Sequence, residues 1–328
     1  MPSCKIHIMR IETITSGQNR KIKDLQALVE KSKARGAAGL FVVEGQRELG
    51  HCLDAGFVPE TLFVCREVAG RGWKSVSGKE QPCASGERPS PEFSEWNGDA
   101  AVPKGGAGEG SLVENVEGKD GLEALVAKAG ALNPRLTVVQ IPAFLYEKVA
   151  YRGSTEGIIA EVRDVPRRLS DLRLGEAPLV MALESVEKPG NLGAVLRSAD
   201  AAGADAVIIC DPLTDIWNPN LIRSSVGAIF SVPVAVCTSE EAIAFFKERR
   251  IRILTAQLQD SEWYYAADMT AGTAIVMGTE STGLTQIWRD AADAHIKIPM
   301  LGRLDSLNVS VSASVLLYEA VRQRRHLI

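Results

Sequence analysis

From residue 172 onward the sequence alternates short apolar runs with amphipathic stretches, and few folds accommodate that alternation. The runs are PLVMALE (178–184), AVIIC (206–210), VPVAV (232–236), IRILTA (251–256), TAIVMG (273–278) and AHIKIP (294–299). Each has strand length and helical stretches lie between them, which predicts an α/β fold with a parallel sheet and crossover helices. Ligands of such sheets sit at the carboxyl ends of the strands. The polar, Gly-rich turns after Glu184, Met277 and Pro299 fall there. No GxGxxG follows the first strand, the GAGEG at 106–110 lies outside any strand-to-helix turn, and GxxxxGK is absent. The dinucleotide-binding loop and the P-loop are therefore excluded.

A chain of 328 residues has room for about two domains. Ahead of the alternating region, Asn19 to Lys33 reads as an amphipathic helix, with Ile22, Leu25, Leu28 and Val29 at helical spacing. LFVVEG (40–45) and TLFVC (61–65) read as strands, and Arg47 to Ala55 as a helix stopped by Gly56. Residues 69–130 are rich in Gly, Ser and Pro and read as a poorly ordered insertion, with a helix over Gly121 to Ala131 returning to the fold. LTVVQI, a helix-like FLYEKVA and GIIAEVR then complete a first domain over 10–166, and a second spans 172–328.

Composition narrows the function. A net charge of −4 and a pI near 5.8 count against non-specific coating of long nucleic acids. Between Asn19 and Arg35, however, lie Arg20, Lys21, Lys23, Lys31, Lys33 and Arg35, opposed by Asp24 and Glu30. By charge alone this is a solvated helix face. No apolar run reaches the roughly 18 residues that span a bilayer, and residues 1–10 lack the pattern of a signal peptide. The run MRIETITSGQNR makes Met9 a second candidate start. The six cysteines are scattered, form no CxxC and have only four histidines for company, so no metal site is expected. Reduced thiols fit a cytoplasmic location.

Three turns carry the chemistry. In ESVEKPGNLGAVLRSADAAGAD (184–205), Gly190 and Gly193 permit a tight turn, Asn191 can cap the next helix, and Arg197 offers a bidentate guanidinium. Taken alone, it reads better as a capped helix with a surface arginine. In MGTESTGL (277–284), Gly278 and Gly283 frame Glu280, which serves equally as a ligand loop or as a connector favoured by the helix dipole. In IPMLGRLDSLNVSVSASVLLYEAVRQR (298–324), Ser306 or Asn308 caps a helix whose first half is apolar or small on nearly every face. Such a helix is buried all round, by a partner chain or by the chain's own loops.

Together and in this order, NLGAVLRSADAAGAD, GTESTGL and IPMLGRLDSLNVSVSAS resemble the three signature motifs of the SpoU/TrmH family, the RNA 2′-O-ribose methyltransferases of the SPOUT superfamily. The resemblance covers about 150 residues, from Leu179 to Arg324. ITSGQNRKIKDLQAL, FVVEGQRELGHCLDAG and TEGIIAEV resemble that family's small α/β RNA-binding domain; the segment at 69–130 departs from its compact form.

The resemblance implies a C-terminal parallel-sheet domain with a deep trefoil knot, a homodimer with its site near the interface, and S-adenosylmethionine as cofactor. Carried over by motif, Gly278, Ile298, Met300, Gly302 and Leu307 would hold the cofactor. Arg197 would grip a phosphate and orient the 2′-hydroxyl, since a guanidinium stays protonated near neutral pH. Asn191 would orient Arg197 or the ribose, Glu280 the loop or Arg197, and Ser306 and Asn308 the substrate or the cofactor loop. Arg20, Lys21, Lys23, Lys33 and Arg35 become candidates for RNA backbone contacts. The implied substrate is ribosomal RNA first and transfer RNA second. The rival readings are methylation of a base and a non-catalytic RNA-binding or ribosome-assembly factor that keeps the fold.

Overall fold

The computed structural model describes residues 10–69, 119–151, 156–279 and 282–325. The N-terminal part runs β1 (Arg10–Thr13), α1 (Arg20–Glu30), α2 (Ser32–Ala38), β2 (Leu40–Glu44), α3 (Gln46–Asp54), β3 (Pro59–Val64), α4 (Arg66–Ala69), α5 (Lys119–Leu132), β4 (Thr137–Gln140), α6 (Ala143–Val149) and β5 (Ile158–Arg163). Its five strands lie in the order β1-β4-β3-β5-β2, with β5 antiparallel to both neighbours. Asn19 caps α1 by accepting the Lys21 N–H at 2.9 Å, and Ile22, Leu25 and Leu28 are buried. The helix predicted over 19–33 is in fact two, because Lys31 adopts an extended conformation between α1 and α2. The helix expected at 121–131 is α5; residues 70–118 of the expected insertion lie outside the described residues.

The C-terminal part runs β6 (Leu179–Glu184), α7 (Pro189–Ala202), β7 (Ala206–Cys210), α8 (Pro219–Ser224), α9 (Ala228–Ser231), β8 (Val234–Cys237), α10 (Ser239–Glu248), β9 (Arg252–Ala256), β10 (Glu262–Trp263), β11 (Thr273–Met277), α11 (Gln286–Ala291), β12 (Ala294–Lys297) and α12 (Val309–Arg324). The six predicted strands are present in one parallel sheet, ordered β10-β12-β9-β11-β6-β7-β8. Only the two-residue β10 gave no apolar signal. Alternation along each strand buries both faces. Met181, Leu183, Val207 and Ile275 pack with α7 and α12, while Val180, Ala182, Ile208 and Val276 pack with α10 and α11.

The two sheets share one continuous apolar core. Trp217, after β7, stacks on Phe41 of β2 at 3.9 Å between ring centroids, its Nε1 donates to Asp164 at 2.7 Å, and the Arg167 guanidinium lies 5.0 Å from its ring centroid. Beside this stack Arg35 is buried. Its Nε donates to Asp215 at 2.6 Å and its Nη1 to the carbonyls of Leu28 and Val29. These contacts fix the N-terminal sheet against the parallel sheet. They also correct the reading of Arg35 as an RNA contact: its guanidinium faces the interior, not solvent.

Candidate active site

At the carboxyl ends of β9, β11 and β12 lies a cavity of about 690 Å³. Its apolar wall includes Met277, Ile298, Met300, Leu307 and Leu316, and its polar wall includes Gln257, Arg289, Ser306 and Asn308. The turn after β11 forms its floor. Gly278 has to be glycine there, because a Cβ would fall on the carbonyl of Gly283 across the turn. A smaller cleft of about 110 Å³ adjoins the cavity, sharing Gly278, Thr279 and Val309 with it and bounded by Val186, Glu187, Lys188 and Asn191.

Asn308 marks the border between the two. As N-cap of α12 it accepts the Ser310 N–H at 3.0 Å, and its Nδ2 donates to Asn191 Oδ1 at 3.3 Å. The first and third turns, 117 residues apart, thus touch beside the second. Two small-residue contacts allow this. Gly193 lets α7 lie against α8, since a Cβ there would strike Ser224 and stand 2.8 Å from the Leu221 carbonyl. Ser198 and Ser314 share a hydrogen bond of 2.7 Å where α7 meets α12.

Of the residues proposed from sequence, Gly278, Ile298, Met300, Leu307, Ser306 and Asn308 line the cavity, and Asn191 lines the cleft. Glu280 lies outside the described residues. Gly302 is exposed and does not line the cavity, and no protein atom lies within 4 Å of where its Cβ would be. Arg197 is exposed on α7 and lines neither cavity. Six residues beyond Asn191, it points about 120° away around the helix. Arg20, Lys23 and Lys33 are exposed; Lys21 is bound to Glu12 at 2.6 Å.

The sequence reading missed Gln257, Arg289 and Lys297, all on the cavity wall. The carboxyl end of the IRILTA strand was the available signal for Gln257, but that turn has no glycine to draw attention to it. The cavity fits a nucleoside carrying an amino-acid tail. Its wall is apolar enough for a base, and Gln257 Oε1 and Arg289 Nε are buried on it without a hydrogen-bond partner. Among the described residues no His, Cys, Asp and Glu cluster could hold a metal.

Comparison with known proteins agrees with this geometry. The profile of the SpoU rRNA Methylase family matches residues 178–318, and that of the MRM3-like substrate binding domain matches 19–86. A 23S rRNA (guanosine-2′-O-)-methyltransferase RlmB of Vibrio parahaemolyticus is 35% identical over 196 residues, 58% of this chain and 79% of the relative. The chain belongs to the SpoU rRNA methylase family. The RlmB of Escherichia coli K12 is likewise 35% identical, over 59% of this chain and 83% of its own. The crystal structure of an RNA 2′-O ribose methyltransferase superposes with a TM-score of 0.69 at 31% identity, over 95% of this chain and 99% of that one. An AdoMet-bound rRNA methyltransferase from Sinorhizobium meliloti, at 24% identity, shares the fold with a TM-score of 0.74, over 97% and 99% of the two chains.

Proposed function

We propose that this SpoU-family chain methylates a ribose 2′-hydroxyl of ribosomal RNA with S-adenosylmethionine as donor. The observation that carries the reading is the Asn308–Asn191 contact, which joins a cavity suited to a nucleoside cofactor to a cleft with room for a sugar. A guanosine of the large-subunit RNA is the substrate that the RlmB relatives favour.

Bound S-adenosylmethionine supplies an electrophilic methyl group on a sulfonium leaving group. Gly278, Ile298, Met300 and Leu307 hold it from the cavity wall. Asn191 and Asn308 orient the acceptor hydroxyl at the shared edge, with Ser306 beside them. Arg197 grips the neighbouring phosphate. Since Arg197 stands outside both cavities of its own chain, this role draws on a homodimer. The exposed apolar side chains favour one: Leu301 is 96% exposed, Leu304 74% and, on α12, Tyr318 50%. One side of α12 packs on α7, so a partner chain completes the all-round burial its sequence calls for. Membership of the SpoU family favours a deep trefoil knot in the part over 172–328, and the packing of α12 on α7 with Val309 beside Gly278 is in keeping with it. The RNA is selected by the part over 10–166, including Arg20, Lys21, Lys23 and Lys33, and the transfer occurs on the part over 172–328. No described helix is long and apolar enough to cross a membrane. Cys52, Cys65, Cys210 and Cys237 are free thiols, which favours a reducing, cytoplasmic location.

The test is methyl transfer from labelled S-adenosylmethionine to ribosomal and transfer RNA fractions, followed by digestion to nucleosides. Label in a 2′-O-methyl nucleoside of the ribosomal fraction is the expected result. Label in a base, or none in any RNA, overturns the reading.

A further inference from the structure

Glu184, at the carboxyl end of β6, is 3% exposed and has both carboxylate oxygens engaged. Oε2 accepts the backbone N–H of Thr285 at 2.9 Å, and Oε1 accepts the Thr285 hydroxyl at 2.6 Å. Ser239 Oγ stands 3.3 Å from the same Oε1 but 2.6 Å from Asp211 Oδ2, and its single proton goes to the nearer acceptor. Thr285 is thus the main partner of Glu184.

Thr285 is also the N-cap of α11. A threonine at that position ordinarily accepts an N–H of the first helical turn, which steadies the helix. Here it makes no such bond, and its hydroxyl is committed to a different element. A local stabilising contact is forgone for a tie to β6, the kind of departure found where function sets the geometry. The tie closes a clamp. The turn after β11 departs at Met277, whose register partner is Leu183 of β6, and it ends at Thr285, bound to Glu184, the next residue of β6. Between these anchors Gly278, Thr279, Thr282, Gly283 and Leu284 line the cavity.

We infer that Glu184 is a positioning residue for the cofactor: by holding Thr285 it sets the span of the turn that floors the cavity, without touching cofactor or RNA. The inference rests on the cavity being the S-adenosylmethionine site.

Binding of S-adenosylhomocysteine to the full chain, measured by calorimetry, tests it. Glu184→Gln keeps the size but replaces a charged double acceptor by a neutral amide that can accept only one of the two Thr285 bonds, so Kd rises about tenfold or more. Thr285→Val, which deletes only the hydroxyl, moves Kd the same way by less, and Thr285→Ser restores it. In turnover assays KM for the cofactor rises in step, while kcat at saturating cofactor and KM for RNA stay within about twofold, a split that mere loss of folded protein does not produce. Should Glu184→Gln fail to fold, the two Thr285 variants carry the test. Unchanged Kd in Thr285→Val and in any folded Glu184→Gln, with only the melting temperature lowered, overturns the inference. A wild-type chain that does not bind S-adenosylhomocysteine brings down the proposed function itself.

Discussion

Replacing Arg35 by methionine separates its structural role from the RNA-binding role that its sequence context favours. Its side chain is 5% exposed and that of Asp215 17%, so the ion pair is little screened. Methionine fills similar space but leaves Asp215 Oδ2 without its 2.6 Å donor and the Leu28 and Val29 carbonyls without Nη1. The Asp215 carboxylate keeps only the Trp217 N–H, on Oδ1. Removing one member of a buried pair costs about 3–5 kcal/mol, mostly the penalty of the charge left behind. Urea unfolding followed by tryptophan fluorescence reports it directly, since Trp217 stands in the adjoining stack. The midpoint falls by an amount worth about 3 kcal/mol with the slope unchanged. Adding Asp215→Asn recovers part of the loss, because the two residues interact and their effects do not add. RNA affinity and its salt slope stay at the wild-type value. Wild-type stability together with a salt slope reduced by about one would refute the reasoning, for that is the mark of a phosphate contact.

Gly278→Ala forces the Gly283 carbonyl aside and weakens S-adenosylhomocysteine binding about tenfold to a hundredfold, read by calorimetry. Arg197→Ala lowers turnover about a hundredfold or more with cofactor affinity unchanged; near-normal turnover would remove it from the mechanism. Replacing Arg20, Lys23 and Lys33 together by alanine flattens the salt slope of RNA binding by about one for each phosphate that is no longer neutralised, measured by filter binding. Burial in the N-terminal sheet raises the Glu161 carboxyl from 4.5 to about 7. Between those values the folded chain keeps a proton that the unfolded chain has released, so stability falls as pH rises from about 4.5 to 7 and levels off above, by about 3 kcal/mol at most. Glu161→Gln abolishes that slope in urea titrations across the window.

The sequence by itself determined the parallel sheet. Its strands are buried on both faces, and such strands announce themselves as unbroken apolar runs. It also pointed to Asn191, Gly278 and Asn308 through the resemblance of their motifs to the SpoU family, although Asn191, read as a cap for the helix that follows, lies inside α7, whose N-cap is Lys188. Short elements escaped it: β10 is two residues long, and no glycine or proline marks the break at Lys31. Only the tertiary structure decided which polar residues face which surroundings. Arg35 sits in the same basic run as Arg20 and Lys23, yet it is buried because Asp215, 180 residues away, meets it between the sheets. Glu184 and Thr285, 101 residues apart, become partners because β6 and β11 are neighbours in the sheet. Arg197 turns away from the cavity because helical geometry carries it around the axis from Asn191. Periodicity along a chain records which face a residue takes within its own element; what lies opposite that face depends on the order in which the strands assemble.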